Sequence, residues 1–160
     1  PKKTDNSLKV GIVWSSDHST SYRRKVCPLS EIANLFDIED VSFYGLQFGG
    51  ESRDLEIYTS RSNVHNLANK LGSFDHTAAI VKQMDLILSI DTYIVHLAGA
   101  MNIPVWIMLA FTPDWRWFLD CNDSPWYPSA RLFRQKSAGD WSSVINLIRP
   151  ELEQKILNRK

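Results

Sequence analysis

Several features that would place a protein in a specialised class are scarce in this sequence of 160 residues. Its 18 lysines and arginines balance 18 aspartates and glutamates, so it has no net charge with which to attract nucleic acid or an anionic membrane. No run reaches the ~18 consecutive apolar residues of a membrane span, and no signal peptide is recognisable. We therefore expect no nucleic-acid partner, no membrane span and a cytoplasmic location.

Metal-ligand patterns and glycine motifs are scarce as well. The two cysteines, Cys27 and Cys121, lie far apart, and the four histidines add no metal-ligand spacing, so we expect no metal site. A disulfide between the cysteines stays an open alternative to a reduced intracellular protein. The segment "GIVWSSDHS" lacks Gly-x-Gly-x-x-Gly, which argues against a dinucleotide oxidoreductase, and we expect no bound cofactor.

Short apolar runs alternate with amphipathic segments along the chain, which is typical of α/β proteins. The pattern predicts strands at residues 8–14, 41–47, 63–68, 85–90, 103–109 and 130–135. It predicts helices at 28–36, 52–58, 73–84, 92–101 and 140–157, the last with Asp140 as its N-cap and Pro150 marking a kink or break.

These elements predict a Rossmann-like α/β fold, a doubly wound parallel sheet of about six strands with helices on both faces. Ligands of such sheets bind beyond the carboxyl ends of the strands, where the strand order reverses. The length favours a single domain over residues 1–160, with 1–7 as a linker and 149–160 as a terminal helix or tail.

The stretch "LILSIDTYIVHLAGAMNIPVWIML" carries the residues best suited to bind an anion. Thr92 lies where a predicted strand turns into a helix, and helix N-termini bind phosphate through unpaired N–H groups. His96 follows four residues later on the same helical face, where it would donate to the same anion. Asp91 would cap the helix or accept from a sugar hydroxyl. The alternative is that Asp-Thr is only a helix cap and that His96 is a core residue.

Two arginines are further candidates for phosphate or sugar contacts. Arg24 belongs to the basic run 23–25 in the loop after the first strand, where it would bind a diphosphate or form a solvated loop. Arg116 stands between two tryptophans, Trp115 and Trp117, in an aromatic segment that would either approach the ligand or cover the sheet edge.

Longer motifs give a resemblance to a known family. The stretch above, followed by "TPDWRWFLDCNDSPWYPSARLFRQ" and "GDWSSVINLI", resembles the C-terminal domain of heptosyltransferase-like glycosyltransferases, most closely the version fused to tetratricopeptide repeats. "GIVWSS", "PLSEIANLF", "FYGLQFGG" and "FDHTAAIVKQMD" lie in the same order, so the resemblance covers roughly residues 8–148.

The resemblance implies that this chain forms half of a GT-B fold and that this half binds a nucleoside-diphosphate sugar. It implies that Asp91, Thr92 and His96 hold the diphosphate and that Gln47 lies near the base or ribose. It implies that Trp14, Ser15 and Ser16 line the cleft. The acceptor, a glycan, lipid or protein, would bind an N-terminal domain that we expect to precede this sequence, alone or with repeats. This chain alone is therefore expected to bind the donor without turnover.

Two departures from the family pattern leave a second function open. Tyr93 stands where the family usually has a small residue, and Ser16-Asp17 stands where Gly-Asn is usual. The sequence therefore supports either the donor-binding domain of a glycosyltransferase or a non-catalytic Rossmann-like interaction or regulatory module with a decayed donor site.

Overall fold

The computed structural model describes residues 6–16 and 25–159. Within these ranges, six strands form one sheet: β1 Leu8–Val13, β2 Val41–Gly45, β3 Val64–Asn66, β4 Leu86–Ile90, β5 Val105–Leu109 and β6 Ala130–Arg134. Their order is β3-β2-β1-β4-β5-β6, and every neighbouring pair is parallel. This confirms the predicted doubly wound α/β fold. The strand order reverses between β1 and β4, so the carboxyl ends of those two strands are where a ligand is expected.

Four α-helices connect or follow the described strands: α1 Leu29–Ile32, α2 Phe74–Val81, α3 Tyr93–Ala100 and α4 Trp141–Leu157. The helix predicted at 28–36 is α-helical only in α1 and continues as a 3-10 helix over Ala33–Leu35. The segment predicted as a short helix at 52–58 lies in a 3-10 helix, Gly50–Tyr58. The helix predicted at 73–84 ends at Val81, because the N–H of Met84 bonds to the carbonyl of Val81 in a tighter turn.

The sheet separates two hydrophobic cores, as its alternating side chains require. On one face, Val10, Ile12 and Leu88 pack with side chains from α1 and α4. On the other face, Val13 and Ile87 pack with side chains from α2 and α3. All five residues of β4 are buried, which is why the strand reads as a continuous apolar run.

The last helix begins as the sequence predicts but continues where a break was expected. Asp140 caps α4, since its Oδ1 accepts from the N–H of Ser143 at 3.0 Å. Of the kink or break predicted at Pro150, the break is wrong, because α4 runs through this residue. Ile148 and Leu152, on either side of the proline, are completely buried. Burying such side chains contributes roughly 1.5–3 kcal/mol each, which offsets the ~3 kcal/mol cost of an internal proline.

The two cysteines are not joined. Cys27 and Cys121 are both free thiols, so the disulfide alternative is wrong. Cys27 is buried beside α1, and burial raises the pKa of its thiol well above the usual range. A thiol with so high a pKa is a weak nucleophile. In the described ranges, no helix has both the length and the apolar character to cross a bilayer.

Candidate functional site

A cleft of about 560 Å³ opens beyond the carboxyl ends of β1, β2 and β4. This volume lies within the ~300–1,000 Å³ that is usual for small-molecule sites. Ser15 and Ser16 line it after β1, the loop 46–51 lines it after β2, and the beginning of α3 lines it after β4. The cleft is therefore at the reversal of strand order, where the sequence predicted a ligand.

The N-terminus of α3 faces this cleft without a side-chain cap. Thr92 has the extended backbone of an N-cap residue, with φ −136° and ψ 171°, yet its side chain makes no capping hydrogen bond. Its hydroxyl instead lies 3.1 Å from the hydroxyl of Ser89. Thr92 and Tyr93 both line the cleft. The first N–H groups of α3 therefore have no side-chain acceptor. Helix N-termini with free N–H groups of this kind bind anions.

Asp91 pairs with a lysine instead of capping the helix. Lys25 Nζ lies 3.0 Å from Asp91 Oδ2, and the two side chains are 20% and 8% exposed. The expectation that Asp91 caps α3 is therefore wrong, since Thr92 is the N-cap residue and the carboxylate is engaged elsewhere. Both residues line the cleft. An ammonium can donate to several oxygens at once, so this pair places a cation beside the helix start.

The basic run 23–25 contributes to the site through Lys25. Arg24, the member that the sequence singled out, lies outside the described residues, as does Asp17. The contact of Lys25 with Asp91 joins residues 66 apart in sequence. Nothing in the local sequence marks Lys25 over its two neighbours, because only the tertiary fold brings it to the end of β4.

His96 lies on the cleft wall between aromatic side chains. Its Nδ1 is 2.9 Å from the hydroxyl of Tyr127, and its ring stacks on Trp117 with centroids 5.7 Å apart and planes at 19°. His96 is hydrogen-bonded, as the alternative interpretation as a core residue expected, but it is only partly buried and it lines the cleft. Sequence reasoning did not identify Tyr127 as its partner, although the aromatic segment that contains Tyr127 stood out.

Arg116 reaches the cleft, as one interpretation of the aromatic segment predicted. It lines the cleft together with Asp114, whose Oδ2 lies 3.3 Å from Arg116 Nη2. Its Nε is buried, and the described residues provide no hydrogen-bond partner for it. The flanking tryptophans differ, since Trp117 is buried against α3 and Trp115 is 72% exposed. Covering the sheet is thus the role of Trp117, while Arg116 contributes a cation to the cleft.

The segment after β1 is held by Gln47. Its Oε1 accepts from the N–H groups of Trp14 and Ser15 at 3.2 and 2.9 Å, and its Nε2 donates to the carbonyl of Phe48 at 3.0 Å. Gln47 lines the cleft, but these bonds direct its amide to the backbone of two loops. Its observed contacts are those of a residue that positions the cleft walls. Ser16 also lines the cleft, and its buried hydroxyl has no partner in the described part of the chain.

Trp14 does not line the cleft, which corrects the expectation for this residue. Its side chain is 2% exposed and belongs to the core on the α1 and α4 face. Successive side chains of an extended chain point to opposite faces, and Val13 points to the α2 and α3 face. Trp14 is therefore directed away from the α3 side of the sheet.

Two aromatic rings flank the mouth of the cleft. Phe48 and Tyr93 are 40% and 46% exposed, and their ring centroids are 5.8 Å apart. Burial raises the pKa of the Tyr93 hydroxyl, and a hydrogen bond with Thr77 opposes that rise. Tyr93, which departs from the pattern of the family that the sequence resembles, thus lies at the site itself.

Comparison of the sequence with curated proteins gives a distant relative. No protein-family model matches the chain. Protein FlbA of Caulobacter vibrioides is 26% identical over 145 residues, which are 88% of this chain and 24% of FlbA. The chain therefore spans about a quarter of the length of this curated relative.

Solved structures of heptosyltransferases share the fold. E. coli heptosyltransferase WaaC with ADP matches with a TM-score of 0.63 and 16% identity over 98% of this chain and 46% of WaaC. E. coli ADP-heptose lps heptosyltransferase II matches with a TM-score of 0.63 and 17% identity over 94% of this chain and 48% of the enzyme. The chain thus has the fold of about half of a heptosyltransferase.

Proposed function

We propose that this chain is the donor-binding domain of a GT-B glycosyltransferase and binds a nucleoside-diphosphate sugar in the cleft. The observation that carries the proposal is the uncapped N-terminus of α3, which opens onto the cleft beside Lys25 and His96. The likeness to WaaC structures with ADP and with ADP-2-deoxy-2-fluoro heptose supports the same ligand class.

In this proposal, the diphosphate lies against the first turn of α3. The helix N–H groups and the His96 imidazole donate to its oxygens, and Lys25 supplies a positive charge. The Thr92 hydroxyl, which donates to Ser89 in the free protein, turns to the diphosphate when it binds. Asp91 holds Lys25 in place through their ion pair. Arg116 and Ser16 also line the cleft, and we propose that they contact the remaining phosphate or sugar oxygens.

These groups would promote sugar transfer by stabilising the leaving group. When the bond between the anomeric carbon and the diphosphate breaks, negative charge develops on the departing oxygen. Donors fixed around that oxygen before the reaction lower the barrier, and this is commonly the largest contribution to catalysis. Because helix dipole, lysine and histidine supply the positive charge, we propose that donor binding requires no divalent cation.

The rest of the reaction belongs to parts of a protein that this chain does not include. The chain spans about half of each heptosyltransferase and about a quarter of FlbA. We propose that the acceptor, a glycan, lipid or protein, binds a second domain, and that repeats of the tetratricopeptide type accompany it. We also propose that the chain alone binds donor without turnover and that it is a cytoplasmic protein.

A thermal-shift panel of ADP, GDP and UDP, with and without EDTA, tests the proposal. One nucleoside diphosphate at about 100 times its Kd is expected to stabilise the chain by about 2.7 kcal/mol, or roughly 5–10 °C in Tm. EDTA is expected to leave this shift unchanged. His96→Ala should weaken binding by about tenfold or more, because it removes a donor to a charged group. His76→Ala is the matched control, since His76 is exposed on α2.

A second candidate function rests on the exposed Tyr93 beside the helix start. If its ring and the carboxylate of Asp91 exclude phosphate, the chain is a non-catalytic Rossmann-like interaction or regulatory module. No shift with any of the three nucleotides, in a protein that unfolds cooperatively, would support this alternative and refute donor binding.

A further inference from the structure

The hydrogen bond between Tyr127 and His96 joins the aromatic segment to the candidate donor site. We infer that Tyr127 is a positioning residue that fixes the imidazole tautomer of His96, so that Nε2 carries the proton and donates into the cleft. The inference rests on the proposed function only for the identity of the ligand. The bond itself spans 2.9 Å between Nδ1 and the phenolic oxygen.

The tautomer follows from the hydrogen-bonding capacity of both groups. A neutral imidazole has one N–H donor and one acceptor nitrogen, and the bond at one nitrogen decides the state of the other. Among the described residues, His96 Nδ1 is the atom that can accept a hydrogen bond from the phenolic O–H of Tyr127. If the hydroxyl donates to Nδ1, that nitrogen is unprotonated and the proton is on Nε2. The described part of the chain provides no partner for Nε2, and His96 lines the cleft.

The opposite tautomer would oppose anion binding. A proton on Nδ1 would leave a lone pair on Nε2, and a lone pair repels the oxygen atoms of a phosphate. It would also leave the hydroxyl hydrogen of Tyr127 without an acceptor among the described residues, which is costly for a partly buried group. Both effects favour the arrangement in which Tyr127 donates and Nε2 faces the ligand as a donor.

Gly99 makes room for the tyrosine ring on α3. It lies three residues after His96, so it shares a face of the helix with the imidazole. A Cβ at this position would be 2.4 Å from Cγ of Tyr127, far closer than side chains approach one another. The carbonyl of Tyr127 also accepts from the N–H of Ala130 at 2.9 Å, which ties the residue to the start of β6. The ring thus packs against α3 at Gly99 with its hydroxyl at the imidazole, while the backbone of Tyr127 is bonded to the start of β6.

The tautomer can be measured directly by ¹⁵N NMR of the imidazole in the free protein, at a pH at which His96 is neutral. We expect the Nε2-protonated form in the wild type and a mixture of tautomers in Tyr127→Phe, which removes only the hydroxyl. ADP, GDP and UDP are titrated separately. For the nucleotide that binds, we expect Tyr127→Phe to lower the affinity about fivefold, the effect of losing one net hydrogen bond. Tyr58→Phe is the control, because Tyr58 packs against Phe36 on the other face of the sheet.

Gly99→Ala gives a second variant that keeps the hydroxyl but displaces the ring. It is expected to disturb the tautomer and the affinity in the same direction as Tyr127→Phe. An unchanged Nε2-protonated tautomer in folded Tyr127→Phe would overturn the inference, as would a wild-type imidazole protonated on Nδ1. If the wild type binds none of the three nucleotides, the proposed function fails, while the tautomer comparison in the free protein still decides the role of Tyr127.

Discussion

The N-termini of α3 and α4 differ although both begin with residues that favour helix caps. At α4, Oδ1 of Asp140 accepts two hydrogen bonds, one from the N–H of Ser143 and one from the hydroxyl of Ser142, each at 3.0 Å. At α3, the side chain of Thr92 caps nothing. The capped end is at the surface and the uncapped end is in the cleft. The proposed donor site needs this difference, because a ligand can bind only to a first turn whose N–H groups have no side-chain cap.

The two aspartates at these ends show the same contrast. Asp140 satisfies the helix directly, and the bonds it accepts from Ser143 hold its pKa below the ordinary value. Asp91, one residue before the N-cap of α3, is paired with Lys25. The carboxylate of Asp140 thus caps α4, whereas that of Asp91 holds the Lys25 ammonium beside the uncapped start of α3.

Giving α3 the kind of cap that α4 has should produce the largest effect. Thr92→Asp would place a carboxylate on the first-turn N–H groups and repel a diphosphate. Like charges at a contact cost several kcal/mol, so nucleotide affinity should fall by about a hundredfold or more. The Tm of the free protein should stay the same or rise, because aspartate is a better cap than threonine. Isothermal titration with the nucleotide that stabilises the wild type would check this, and undiminished affinity would contradict it.

Removing the lysine should have the next largest effect. Lys25→Ala alone would leave Asp91 unpaired, so the test uses the double variant Lys25→Ala with Asp91→Asn. We expect roughly tenfold weaker nucleotide binding, the loss of one charge-assisted hydrogen bond. Lys82→Ala, at the end of α2, is the matched control. Equal affinities of the double variant and the control would show that Lys25 takes no part in binding.

Removing the cap of α4 should affect stability alone. Asp140→Ala is expected to lower Tm by about 2–4 °C near neutral pH and to leave nucleotide affinity unchanged. Because the pKa of Asp140 is lowered in the folded state, its contribution is present above the unfolded pKa and is lost as pH falls through the folded value. The difference in Tm between variant and wild type should therefore shrink in acid. A difference that grows in acid, measured by scanning calorimetry across pH, would be inconsistent with the cap.

Much of the fold could be predicted from the sequence because its signals are local. The buried strands β4 and β5 read as apolar runs on either side of α3, and their alternation with helices specifies a parallel sheet. Elements whose state depends on tertiary packing were predicted less well. Pro150 lies in a helix stabilised by buried neighbours, and Trp14 faces the core on the α4 side of the sheet.

The candidate site shows the same limit. The position of Thr92 at the end of β4 could be predicted, because parallel strands end at a common edge of the sheet. The partners of the site residues could not, since Lys25 and Asp91 are 66 residues apart and His96 and Tyr127 are 31 apart. Such pairs depend on how loops return to the sheet. The position of Asp91 just before a helix suggested that it is a cap, whereas in the folded chain it forms an ion pair with Lys25.

The most direct test of the account is a ¹H–¹⁵N NMR titration of the chain with ADP, GDP and UDP. If the open end of α3 binds a diphosphate, one nucleotide will shift the amide signals of Thr92, Tyr93 and Ile94 most, in a saturable manner, and those of Ser142 and Ser143 at α4 will stay in place. Signals at the start of α3 that do not move with any nucleotide, while the protein remains folded, would contradict the account.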